Sequence, residues 1–188
     1  MNPITLIVVA FLLGGVILIV AAIAIYNGLV TRRNQVQNAW SQIDVQLKRR
    51  FDLVPNLVET VKGYASHERQ TLEAVMAARS RVQGSANSSA RIEAEAALGG
   101  ALGRLLAVAE AYPDLKANTN FKALQEELTS TENKIGFARQ NYNDETTNYN
   151  NALQTFPSNL IAGMFNFQAA PLFALSSEAE RAVPAVKF

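Results

Sequence analysis

Any chemistry in this chain has to start from a short set of side chains. His67 is the sole histidine, and there is no cysteine. His67-Glu68 begins like the zinc-protease pattern HExxH. Thr71 stands where the second histidine must be, so a helix face there offers one imidazole and cannot hold zinc in that manner. Without thiols there is no disulfide, no thiolate nucleophile and no zinc–sulfur site. Asp44 and Asp52 are the carboxylates best placed to act as a paired acid and base. Asp44, however, has Lys48 four residues on, the acid N-terminal, an arrangement worth roughly 0.2–0.5 kcal/mol as a helical ion pair. A structural role accounts for it. The basic triplet Lys48-Arg49-Arg50 can meet acidic headgroups or pair between helices. Along a straight helix it begins roughly 33 Å past Tyr26, several times a Debye length of about 8 Å, so interhelical pairing is expected. No phosphate-cradling loop, nucleophile elbow or dinucleotide fingerprint is present. The chain reads as a non-enzyme, with no catalytic residue, metal ligand or cofactor assigned.

The elements that would hold these side chains follow from patterning. The net charge of +1 is too small to drive binding to nucleic acid, which needs many Lys and Arg contacts to phosphate. Charged residues are 18% of the chain, below the roughly 25% of soluble domains, because the apolar content is concentrated at one end. Residues 4–26 (ITLIVVAFLLGGVILIVAAIAIY) carry no charge. A helix of about 23 residues spans roughly 34 Å, enough to cross a hydrocarbon core of about 30 Å. Ile4, Phe11, Ile19 and Tyr26 mark this anchor, and Gly14 and Gly15 interrupt it tolerably. A cleaved leader is the competing reading, with Ala22-Ile23-Ala24 as its cleavage site. No Lys or Arg precedes the run, and it is longer than a leader's apolar core. Small residues at Ala10 and Gly14, and at Ala24 and Gly28, are of a kind that lets helices pack in lipid, but both types are common in spans. Arg32 and Arg33 follow the run, so the positive-inside rule puts the short N-terminus outside and the remainder in the cytoplasm. Two arginines are a modest bias, and a periplasmic or extracellular domain stays open.

Beyond the anchor, the apolar positions step by three and four. From Val36, Trp40, Ile43, Leu47, Phe51 (or Arg50), Val54, Leu57, Val61 and Tyr64 sustain one seam, which Leu72, Val75, Met76 and Val82 extend. This predicts one helix reaching Gln83-Gly84, kinked near residues 51–54 by Pro55. A second helix is expected from Ser88 or Ser89 to Tyr112-Pro113, with glycines that permit close approach of a neighbour. A third runs from a cap at Asn118 or Thr119 to Phe156-Pro157, with a stripe through Phe121, Leu124, Leu128, Thr131, Ile135, Ala138, Tyr142, Thr146, Tyr149, Leu153 and Phe156. The expected fold is all-α: a transmembrane helix (4–26) continuing into an elongated antiparallel bundle of three long helices (30–157). The apolar segment 158–188, carrying Phe165 and Phe167, would pack on the bundle or on a neighbouring subunit. Ser176 and Ser177 would open a short last helix. Trp40, Asp44, Lys48, Arg49, Arg50, Tyr142, Tyr149, Phe165 and Phe167 are the residues assigned to packing or interaction.

Three blocks are distinctive: YNGLVTRRNQVQNAWSQIDVQLKRRFDLVPNLVETVKGYASHE, AYPDLKANTNFKALQEELTSTENKIGFARQNYN and FPSNLIAG. They resemble the LemA family of bacterial membrane proteins, and the likeness covers most of the chain. It implies a short N-terminus, one membrane helix and a helical bundle in the bacterial cell membrane. It implies no catalytic activity. Family members are associated with bacterial envelopes and some with membrane remodelling. The expected role is therefore a membrane-anchored scaffold that contacts the lipid bilayer and associates with itself. The alternative is an accessory subunit of another membrane protein, such as a protease or transporter.

Overall fold

Proline opens the first helix, where its missing N–H has no intrahelical partner to lose. In the computed structural model, which describes residues 2–85 and 88–173, this helix is α1 (Pro3–Lys62). It is followed by α2 (Arg69–Gly84), α3 (Ser88–Ala109), α4 (Pro113–Ala117), α5 (Thr119–Gln154) and α6 (Ser158–Met164). The protein is all-α, and no strand occurs among the described residues. The helix expected at Ser176 lies outside the described residues. The helices divide into two units. One joins the chain up to Ser41 with Ala138–Phe173, and the other is Gln42–Phe137.

In the second unit the expected single helix to Gly84 is corrected to two. α1 ends at Lys62, and the chain turns through Gly63, with Tyr64 and Ala65 N–H groups both donating to the Val61 carbonyl. Glycine weakens the helix here and Ser66 offers competing turn chemistry. The apolar steps continue past the break because α2 folds back on α1 and shares its core. Ala65, not Tyr64, takes the next buried place, and the Tyr64 hydroxyl instead accepts a hydrogen bond from Asn118 Nδ2 at 2.8 Å. The core joins Val54, Leu57 and Val61 of α1 to Leu72 and Val75 of α2, Leu98, Leu102 and Leu105 of α3, Leu115 of α4 and Phe121 and Leu128 of α5. Each such side chain gains about 1.5–3 kcal/mol on leaving water. Asn118 starts α5, its Oδ1 accepting from the Phe121 N–H at 2.9 Å.

Pro55 lies inside α1 without ending it. Its ring removes the N–H that would have gone to the Phe51 carbonyl. Arg79 of α2 takes over that role. Its Nε donates to the Phe51 carbonyl at 3.2 Å, and its guanidinium sits 4.0 Å from the centroid of the Phe51 ring. A helix defect in α1 is thus the docking point for α2.

In the first unit α1 buries Leu29, Val36 and Ala39, and α5 buries Ala138, Tyr142, Thr146 and Tyr149. α6 turns Ala162 inward. It ends in a left-handed Asn166 (φ 55°), with Asn166 N–H donating to Gly163 and Phe167 N–H to Ala162. This is the reciprocal pair of a Schellman cap, and Asn tolerates its positive φ.

Arg79→Ala should destabilise the protein by about 1–2 kcal/mol in chemical denaturation, as a part-buried charged hydrogen bond does. The loss should shrink when Pro55→Ala is also present, because an alanine at that position restores an N–H for the Phe51 carbonyl. Equal losses in both backgrounds would show that Arg79 does not serve the proline defect.

Candidate functional site

Two built features stand out, one in each unit, together with an exposed apolar surface. The first is a charge cluster in the second unit. Arg50 occupies the seam position between Leu47 and Val54, and it is 2% exposed. Its Nη2 donates to the Glu95 carbonyl at 2.9 Å and to the Glu95 carboxylate, while Nη1 donates to Glu132 at 2.9 Å. Glu95 is buried and Glu132 half-exposed. Three segments are pinned together by one guanidinium, because Arg50, Glu95 and Glu132 come from α1, α3 and α5. Arg is the residue for this, since its planar fork can serve several acceptors and stays charged when buried. A methyl group at Gly99 would lie 3.4 Å from Arg50 Nη1, in contact with the arginine head. Gly100 and Gly103 face open space, so the close approach expected of this helix's glycines is not made at those two.

The surrounding charges pair at the surface. Arg49 bonds Glu127, and Arg91 reaches Asp44 at 3.3 Å. The helical pair of Lys48 is corrected: its Nζ lies 3.0 Å from Asp52 rather than on Asp44, which Arg91 engages from α3. Asp44 and Asp52 are thus held in separate ion pairs. His67 is exposed. The Tyr112 phenol donates to Glu68 at 3.2 Å; desolvation and then the Glu68 carboxylate raise its pKa above the ordinary value. A groove of about 500 Å³ opens between α1 and α2, with Pro55, Val58, Leu72 and Met76 as its apolar wall and Glu59, Lys62, Arg69 and Glu73 at its edge.

The second feature is a ladder in the first unit. Residues 166–173 run without helix along α5. Asn150 donates to the Ala170 carbonyl and accepts from the Ala170 N–H, both at 2.9 Å. Asn143, two turns earlier, does the same with Phe173, at 3.2 and 2.8 Å. The neighbouring tyrosines add a rung each: Tyr149 to the Gln168 carbonyl at 3.0 Å, and Tyr142 to that of Pro171 at 2.8 Å. This strap therefore lies antiparallel to α5. The spacing closes because seven helical residues rise about 10.5 Å and three extended ones about 10 Å. Each asparagine side chain supplies the donor and acceptor that a partner strand would. Trp40 packs edge-on to Tyr142 at 5.3 Å and beside Phe173, and the Arg139 guanidinium lies over the Phe173 ring at 4.7 Å. Burial raises the Tyr149 pKa, with Arg33 opposing it, so this hydroxyl remains a donor through neutral pH. Sequence reasoning missed the ladder, although a signal for it exists: the pair Tyr-Asn recurs at a seven-residue interval, Tyr142-Asn143 and Tyr149-Asn150.

At the end of the apolar run, Tyr26 packs against Phe165 at a tilt of 60° with centroids 4.8 Å apart and edge-on to Phe167 at 5.6 Å, and Arg33 lies over Phe167 at 5.5 Å. The run itself is exposed: Ile4 by 66%, Phe11 by 83% and Ile19 by 62%. Gly14 and Gly15 have open space around them.

Residues 39–188 match the sequence model of the LemA family. Protein LemA of Metamycoplasma hominis is 29% identical over 156 residues, which cover 82% of this chain and 71% of that protein. Magnetosome protein MamQ 2 of Paramagnetospirillum magneticum is 27% identical over 198 residues, covering 92% of this chain and 73% of that one. Magnetosome protein MamQ of Magnetospirillum gryphiswaldense is 26% identical with the same coverage.

Arg50→Met should cost about 3–5 kcal/mol, because it strands the Glu95 carboxylate in the core. Arg50→Met with Glu95→Met should recover most of that loss, whereas Arg49→Ala should cost under about 1 kcal/mol. Urea unfolding of the three variants checks the order, and a double variant as unstable as the single one would refute it. For the ladder, Asn150→Ala should speed amide exchange at Ala170 by about tenfold or more, the equivalent of one lost hydrogen bond. Substituting the exposed Asn148 should leave that amide protected, and unchanged exchange in Asn150→Ala would count against the ladder.

Proposed function

The chain belongs to the LemA family, and from that premise we propose that it is a membrane-anchored helical scaffold of the bacterial envelope that works by contact rather than by catalysis. One observation carries the reading. α1 opens with an uncharged stretch long enough to cross a bilayer, and its large apolar side chains are left uncovered by the rest of the chain. Such a surface is strongly unfavourable in water and at ease in lipid. After residue 26 the same helix carries an apolar seam on one side only, and that seam is consumed in packing. The polar side chains follow suit. Arg50 and Glu95 neutralise one another, and Asn143 and Asn150 hold backbone. What remains for function is surface. Organisation or remodelling of membranes is the class of role that the family resemblance carries, and self-association is the form of it supported by the exposed Phe137. Arg32 and Arg33 favour a cytoplasmic domain under the positive-inside rule.

A second reading, an accessory subunit of another membrane protein, draws support from the apolar groove between α1 and α2.

In membranes washed with alkaline carbonate, the full chain should stay in the pellet and a chain lacking residues 2–26 should move to the wash. A full chain released by the wash would remove the anchored reading. Crosslinking of the full chain in mild detergent should then give homo-oligomers. A strictly monomeric protein that crosslinks to one other membrane protein, and loses it when groove residue Met76 is replaced by glutamate, would favour the accessory role.

A further inference from the structure

The anchored reading leaves an exposed apolar surface without an occupant. Residues 156–173 (FPSNLIAGMFNFQAAPLF) contain no charged side chain. Within them Phe156 is 79% exposed, Leu160 60%, Met164 76% and Phe165 55%. Leu160 and Met164 stand four apart and share one side of α6, and Phe156 stands in the turn that leads into it. The opposite side of α6 is already used, because Ala162 is buried within the first unit. This face is therefore not waiting for another part of its own unit.

The position of the patch identifies what covers it. Phe165 and Phe167 contact Tyr26, the last residue of the apolar run, and Arg33 lies over Phe167. If residues 4–26 cross the bilayer, Tyr26 sits at the boundary between hydrocarbon and headgroups, where tyrosines concentrate. Ring contacts of about one side chain's width then hold α6 at that same depth. The chemistry of the segment suits the boundary. It has apolar side chains for the acyl region, Ser158, Asn159, Asn166 and Gln168 for the hydrated layer, and no charge to strip of water. Arg32 and Arg33 lie one to two turns beyond Tyr26, within reach of lipid phosphates. The surface is continuous with the anchor rather than an isolated patch.

We propose that α6 and its flanks, with Phe156, Leu160, Met164 and Phe165 as inserting side chains, form a second membrane contact that lies in the bilayer interface beside the anchor. The proposal rests on the anchored reading. It gives the first unit two attachments to the same leaflet boundary, one spanning and one lying flat. A single helix is free to tilt and to spin about its own axis. The second contact removes the spin and sets which face of the domain looks along the membrane.

The test uses the full chain in phosphatidylcholine and phosphatidylglycerol vesicles whose acyl chains carry bromine either near the carboxyl end or near the methyl end. Trp40→Phe removes the native tryptophan and keeps an aromatic ring there. Single tryptophans are then placed by Leu160→Trp, by the conservative Phe156→Trp, by Phe11→Trp within the anchor and by Phe137→Trp at an exposed position of the second unit. Circular dichroism checks that each variant keeps its helix content. Tryptophan at 160 and 156 should lose fluorescence to bromine near the carboxyl end far more than to bromine near the methyl end, consistent with insertion of about 5–10 Å. Phe11→Trp should be quenched by the deeper bromine, and Phe137→Trp by neither. Quenching at 11 with no more at 160 and 156 than at 137 would overturn the second contact and leave the anchor standing. Blue-shifted emission at 160 that brominated lipid does not quench would overturn it in favour of a protein occupant, such as a second copy. Absence of quenching at 11 would overturn the anchored reading itself.

Discussion

One backbone helix has to satisfy two environments in α1. Its first part is apolar all round, and its last part is apolar on a single stripe. The hydrogen bonds do not change along it, so the difference is carried wholly by which faces bear polar side chains. The stripe repeats every three and four residues through Val36, Ala39, Ile43, Leu47, Arg50, Val54, Leu57 and Val61. That period is what lets α5, with a matching stripe from Phe121 to Tyr149, supply buried residues to both units. Everything else in the fold answers to that seam. α2 and α3 close its final turns, while α6 and the strap are fixed beside its earlier ones.

Within the seam, the one charged member has a physical reason to be there. An aliphatic residue in place of Arg50 would pack without any partner, and a buried ion pair is seldom worth more than the hydrophobic contact it displaces. Its effect is on register. Leucine tolerates a neighbour shifted by a turn, whereas a guanidinium with three acceptors on two other helices does not. Arg79 acts similarly at the other defect. Because Pro55 frees one carbonyl at a set height on α1, α2 has a single position from which its arginine can reach it.

Much of this is legible in the amino-acid sequence. The uncharged run, the all-helical character, the third long helix with a cap at Asn118 or Thr119, and the seam positions Ile43, Leu47, Val54, Leu57 and Val61 follow from periodicity and end signals, because those are local, whereas Ala39 takes the fully buried place that the spacing gives to Trp40. The break after Lys62 is not legible in that way. The apolar steps on either side of Gly63 keep the same rhythm whether the chain goes straight or doubles back, and only the tertiary core distinguishes the two. The partner of Lys48 escapes for a related reason. Carboxylates stand four residues away in both directions, and Asp44 is claimed by Arg91 from a helix that is remote in sequence. The choice between Phe51 and Arg50 for the seam stays open in the sequence because hydrophobicity favours the wrong residue. The ladder is hidden because asparagine in a helix reads as solvated surface unless something extended lies against it.

That ladder sets an unequal distribution of constraint between its two sides. On α5 each rung requires a particular side chain, an asparagine or a tyrosine at a fixed phase. On the strap the rungs fall on main-chain atoms, which every amino acid supplies. Only the N–H groups of Ala170 and Phe173 are drawn upon, so proline at 171 gives up nothing the helix asks for. Residues 168–172 are therefore free to change identity so long as they stay extended, while the helix that grips them is not. A tether of this kind can be retuned on its outward side, in bulk, polarity or affinity for its surroundings, without loosening the grip beneath.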